Sequence, residues 1–205
     1  MSKFISPEAR EVRSFALDLE LRAASGKLPT IRGHAAVFNV LSEDLGGFRE
    51  MIRPGVFARA IKERHDVRAL LNHDSSMVLG RTKAGTLRLA EDRRGLAVEI
   101  DPPDNTLGRD VVESIRRRDL DQMSFAFRAA KEFWSVENGE DIREILDADL
   151  YDVSPVAYPA YSETDVAVRS HQKFLGSTGR EAVCPRLNRR KRQLAILELE
   201  LNNLL

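Results

Sequence analysis

A hydroxyl attacks a carbonyl only when a neighbouring base takes its proton, and an imidazole does this best near neutral pH when a carboxylate holds it. This sequence carries candidates for all three groups. His73 closes the short apolar run Ala69-Leu-Leu-Asn-His-Asp74, so a strand would present the ring at its tip. Ser124 is the only hydroxyl in Asp121-Gln-Met-Ser-Phe-Ala-Phe127. Alternation there puts Ser124, Ala126 and Arg128 on one face and Met123, Phe125 and Phe127 on the other. The carboxylate is expected from residues 142–158, where one parity reads Ile142, Glu144, Leu146, Ala148, Leu150 and Asp152. That parity is largely apolar, which predicts an inward-facing Asp152 in need of a partner, because a buried charge is costly unless paired. A slip of one residue would substitute Asp149. Each residue also has an ordinary reading: a solvated loop histidine, a small residue tolerated in a strand, an acid at a solvated edge.

Rigid elements must bring such groups together, and the pattern is mostly one of strands. Phe15, Leu17, Leu19 and Leu21 alternate with polar residues and predict one half-buried strand. Further strands are expected at Ile31 to Phe38, Val67 to Asn72, Val78 to Gly80, Gln122 to Trp134 and Ile142 to Val156. Leu87 and Leu89 lead through Glu-Asp-Arg-Arg-Gly to Leu96, Val98 and Ile100, which reads as a hairpin with its leucines on one face. Asn138-Gly139 between apolar runs is a second hairpin signal. One helix is expected from Pro54-Gly55 to about Arg64, and another after a capping Asn105, with Leu107, Val111, Val112 and Ile115 on one stripe. There is no alternation of strands with crossover helices and no glycine-rich phosphate loop, so nucleotide folds are disfavoured. The expected class is mainly β with helices, α+β, as a closed β-barrel with helices packed outside.

Composition narrows the function. The 205 residues include 32 Lys and Arg against 32 Asp and Glu, so no net field draws the chain to nucleic acid or to an anionic membrane. No apolar run approaches the roughly 20 residues of a transmembrane helix, and the first residues lack a signal peptide's apolar stretch, so an intracellular protein is expected. A single cysteine, Cys184, and four histidines predict neither a disulfide scaffold nor a metal site, and no cofactor is expected. His34 and His65 read as packed or surface residues, Ser75 and Ser76 lie too close to His73 in sequence to serve it as nucleophile, and Arg128 reads as a strand-end charge rather than an oxyanion donor. The expected organisation is an N-terminal extension over 1–11, a main domain over 12–169, a linker over 170–185 and a basic, leucine-rich tail over 186–205. Leu194, Leu197, Leu201 and Leu204 have the spacing of a short amphipathic helix that would need a partner chain. The cations Arg189 to Arg192 read as a solvated cluster, and nucleic acid is not an expected partner.

The order of the motifs is more specific than any one of them. Ile31-Arg-Gly-His-Ala-Ala-Val-Phe-Asn39, Asp44-Leu-Gly-Gly-Phe-Arg-Glu50, Ile52-Arg-Pro-Gly-Val-Phe57, Ala69-Leu-Leu-Asn-His-Asp74 with Leu79-Gly-Arg81, Leu120-Asp-Gln-Met-Ser-Phe-Ala-Phe127 and Leu150-Tyr-Asp-Val-Ser-Pro-Val156 follow one another. Together they resemble the tailed-phage prohead serine protease family, related to the herpesvirus assemblins. The resemblance covers roughly residues 12 to 165. It implies an assemblin-like closed barrel and a serine endopeptidase that matures a procapsid in the cytoplasm of a bacterial host. It also implies scaffold protein or the major capsid protein, and the enzyme itself, as substrates, with self-association a further expectation. By the same resemblance Ser124 is the nucleophile and His73 the base. Assemblins have a second histidine as third member, whereas this chain has none between Ser124 and His171, so an acid of the closing strand is expected there: Asp152, with Asp149 as the alternative. Ala126 stands where the family favours glycine. The competing reading is a structural, capsid- or scaffold-associated protein that keeps the barrel without the activity.

Overall fold

The computed structural model describes residues 10–15, 19–23, 28–158 and 165–178. In chain order these form β1 (Glu11–Phe15), β2 (Glu20–Arg22), β3 (Thr30–Val37), β4 (Phe48–Ile52), α1 (Ala58–Lys62), β5 (Arg68–Leu71), β6 (Asp74–Arg81), β7 (Leu87–Glu91), β8 (Gly95–Ile100), α2 (Thr106–Arg116), β9 (Gln122–Glu137), β10 (Glu140–Val156) and α3 (Asp165–Ser177). The class is α+β, dominated by strands. Among the described residues no helix is long and apolar enough to cross a membrane.

β9 and β10 organise the larger sheet, ordered β1-β9-β10-β5-β6. They are joined at Asn138-Gly139, both at positive φ as the hairpin signal requires. β10 is long enough to take β4 in parallel along Asp141 to Ile145 and β5 in parallel at Asp152 and Val153. The smaller sheet runs β2-β3-β8-β7, and the leucine hairpin forms as expected, with Leu87 opposite Ile100 and Leu89 opposite Val98. Phe125 and Phe127 face the core with ring centroids 4.9 Å apart, and Phe57 packs edge-on to Phe125. Ile31, Leu96, Val98 and Ile100 of the smaller sheet close the same cluster, joined by Val111, Val112 and Ile115 of α2.

Three expectations change. Phe15 to Leu21 is not one strand: β1 joins β9 in the larger sheet and β2 joins β3 in the smaller, with residues 16–18 outside the described set. Alternation reports which face is apolar and carries no information about which sheet a residue joins. The strands pair as two sheets among the described residues, not as one continuous closed ring. Residues 170–177, expected at the start of a linker, belong to α3, which docks through His171 and Phe174 on Trp134. The rest of the linker and the tail, including Cys184, lie outside the described residues.

Asn105 caps α2 as expected, accepting the Gly108 amide at 2.9 Å. α1 is capped from elsewhere, since the Glu91 carboxylate accepts the amides of Gly55 and Phe57. Gly95 is needed for a different reason: a Cβ there would sit 1.9 Å from the Ala36 carbonyl oxygen across the β3–β8 ladder. Gly95→Ala is therefore expected to destabilise the fold by about 1–3 kcal/mol or more. Urea unfolding would read this as a lower midpoint at unchanged slope, and an unmoved midpoint would refute the close approach.

Candidate active site

His73 sits in the two-residue turn between β5 and β6, whose residues Asn72 and His73 both have left-handed φ, 51° and 59°. That is the φ pattern of the hairpin turn best matched to strand twist. The turn is pinned to the end of β10: the Asn72 amide donates to the Pro155 carbonyl, and the Ala157 amide donates to Asn72 Oδ1, each at 3.0 Å. At the hairpin's other end Arg81 Nε and Nη2 donate to Asp66 at 2.7 and 2.6 Å. The Arg81 hydrogen bond is the main reason the Asp66 carboxyl is lowered to about 2.

Ser124 of β9 lies opposite Ser14 of β1 on one side and opposite Ser154 of β10 on the other. A bulge in β10 decides what joins it. Leu150 pairs with Phe127 and Asp152 with Ala126, so Tyr151 is the extra residue. Leu150 thus faces the core, whereas Asp152 and Ser154 turn to the face of Ser124. The expectation that Asp152 shares a face with Leu150 and Ala148 fails at this bulge, although the carboxylate is buried, at 3% exposure. Bulges re-aim side chains in this way.

His73 Nε2 lies 2.7 Å from Ser124 Oγ, and His73 Nδ1 lies 2.5 Å from Asp152 Oδ1. Ser154 Oγ donates to Asp152 Oδ1 at 3.0 Å and lies 3.3 Å from His73 Nδ1. Arg10 forms an ion pair with Asp152 Oδ2. The Ser124 hydroxyl also has a second acceptor, the Arg13 carbonyl of β1 at 2.8 Å. Its single proton can go to the imidazole or to this backbone oxygen. Asp149 is elsewhere: Arg59 Nη2 donates to it at 2.7 Å and Arg128 pairs with its other oxygen. Burial pushes the Asp149 carboxyl up, but these two guanidinium groups outweigh it and leave it lowered.

A sequence model of the caudovirus prohead serine proteases matches residues 17–176. The chain belongs to that family. Among solved structures it is similar to the bacteriophage T4 capsid assembly protease, with a TM-score of 0.50 at 11% identity, over 73% of this chain and 98% of that one. At that identity the likeness speaks for the fold. No curated protein matches by sequence search.

Other candidates of this prohead protease sequence are engaged away from Ser124. His34 Nε2 lies 2.8 Å from an Asp92 oxygen, and His65 lies 3.4 Å from Glu63. His171 of α3 meets Asp141 at 2.8 Å and packs beside the rings of Phe48 and Trp134. Ser76 bonds Asp74 on the exposed start of β6. Arg128 is held by Asp149 and lies within β9, not at a strand end as expected. Among the described residues no three His, Cys, Asp or Glu side chains gather as metal ligands. Sequence reasoning missed Ser154, Arg10 and the Arg13 carbonyl. Ser154 could have been found two residues beyond Asp152 on the same strand face; the other two leave no local signal.

Proposed function

We propose that the protein is a serine endopeptidase of procapsid maturation, acting through an acyl-enzyme with Ser124 as nucleophile, His73 as general base and Asp152 as the orienting acid. The observation that carries this reading is the unbroken hydrogen-bond chain from Ser124 Oγ through both ring nitrogens to Asp152. Neutral His73 donates from Nδ1 to Asp152, which leaves the Nε2 lone pair aimed at the hydroxyl. As Oγ bonds to the peptide carbonyl carbon, its proton passes to Nε2, and the carboxylate offsets the imidazolium charge. Nε2 then gives that proton to the departing amine nitrogen as the C–N bond breaks. A water repeats the sequence: its proton goes to Nε2, its oxygen takes the acyl carbon, and Oγ recovers a proton as it leaves.

The substrates are scaffold protein or scaffolding segments of the major capsid protein, and the enzyme itself, cleaved inside the assembling shell. Family membership supports this reading. The test is to mix the full chain with capsid and scaffold proteins and to read new N-termini by mass spectrometry. A serine-directed phosphonate probe is added in parallel. Defined cleavage products and a single adduct on Ser124 are expected. Cleavage that persists once Ser124 is fully modified would overturn the reading.

A further inference from the structure

The Asp152 carboxylate makes more bonds than are needed to orient one imidazole. Oδ1 accepts from His73 and from Ser154, while Oδ2 is taken by the guanidinium of Arg10. The carboxylate is deeply buried, and Arg10 reaches it with its own side chain about one third exposed, at 37%. The approach is set by the fold. Arg10 leads directly into β1, whose Glu11 pairs with Phe127 and whose Arg13 is tied to Glu50 and Glu11. Arg10 also precedes the residues matched by the family, 17–176, so membership assigns it nothing.

We propose that Arg10 is a positioning residue of the active centre, which sets how much of the Asp152 charge is presented to His73. This rests on the proposed roles of those two residues. A carboxylate shared with a guanidinium holds an imidazolium less strongly than an unshared one, so Arg10 favours the neutral ring that can accept a proton. The other charges nearby are already paired. Asp74, next to His73, is turned to Ser76; Arg68, opposite Asp152 on β5, is turned to Asp66; the Arg13 guanidinium points to Glu50 and Glu11; Arg128 and Asp149 hold each other beyond Tyr151. Burial raises the Tyr151 phenol beside Asp152, opposed by Arg128 and least of all by Arg10.

The test is an NMR titration of isotope-labelled histidines in the full chain carrying Ser124→Ala, which needs no proteolysis. Arg10→Gln is expected to raise the titration midpoint of His73 by about one pH unit, with His34, His65 and His171 unmoved. Arg10→Lys, which keeps the cation, should restore at least half of that shift. In the active chain the acid limb of the kcat/KM profile should move the same way. An unchanged His73 midpoint in Arg10→Gln would overturn the proposal. So would a shift that lysine does not reverse, since that would be loosened structure and not charge. If the titration shifts as expected while the chain cleaves nothing, the functional reading fails and the role of Arg10 stands.

Discussion

Ser124→Ala and His73→Ala are each expected to lower kcat/KM by about six orders of magnitude, with little further loss when the two are combined. In the proposed triad a hydroxyl without its base is a poor nucleophile, and a base without the hydroxyl has nothing to deprotonate, so the losses should not add. Asp152→Asn is expected to cost about four orders, because the amide cannot offset the imidazolium and can favour the wrong ring tautomer. Asp149→Asn should stay within about tenfold of the parent, because Asp149 is bound to Arg59 and Arg128 and makes no contact with the ring. Initial rates on a capsid-protein substrate measure the series. A severe loss in Asp149→Asn with a mild one in Asp152→Asn would reassign the third group.

The largest stability effect is expected at Arg143, which is 1% exposed and lies between three carboxylates. Its Nη1 donates to Glu11 at 2.6 Å and to Glu50 at 2.8 Å, and its Nε donates to Glu132 at 2.8 Å. Burial alone would lower the guanidinium's proton affinity, yet these acids outweigh it and raise it. Arg143→Met removes a buried guanidinium that the buried carboxylates of Glu11 and Glu50 share with Arg13, so a loss of about 3–5 kcal/mol is expected. For a chain of this size that is about 10 °C in Tm. The penalty depends on pH with a definite sign. Burial raises the Glu132 carboxyl, but Ser170 and Arg143 together leave it below its ordinary 4.5. Its contribution is thus fully present above that value and fades as pH falls through the lower folded value. Calorimetry across pH 7 to 3 should find the Tm gap between parent and variant narrowing at the acid end. A gap of only a degree or two at pH 7 would mean the cluster is not held as a unit.

How much of this was legible in the sequence varied with the range of the interaction. The β7–β8 hairpin, the Asn138-Gly139 turn and the Asn105 cap are local devices, and they form where the residues predict. His73 and Ser124 were found by type and setting, and family resemblance supplied their roles. Asp152 was reached by parity along an unbroken strand, yet a bulge at Tyr151 is what turns it toward Ser124. Nothing in the residue pattern marks a bulge, because it is set by how the partner strand pairs. The division of β1 from β2 and the reach of Arg10 to Asp152 are likewise decided by packing between distant segments.

Left-handed φ at both Asn72 and His73 sets an asymmetry in what mutation can do there. Asparagine and histidine visit that region more readily than most L-residues, for which it costs about 1 kcal/mol, and glycine does so freely. Glycine at position 73 would suit the backbone better and remove the proposed base in the same step. Where stability alone is at stake, glycine is the easier residue for this position of the turn.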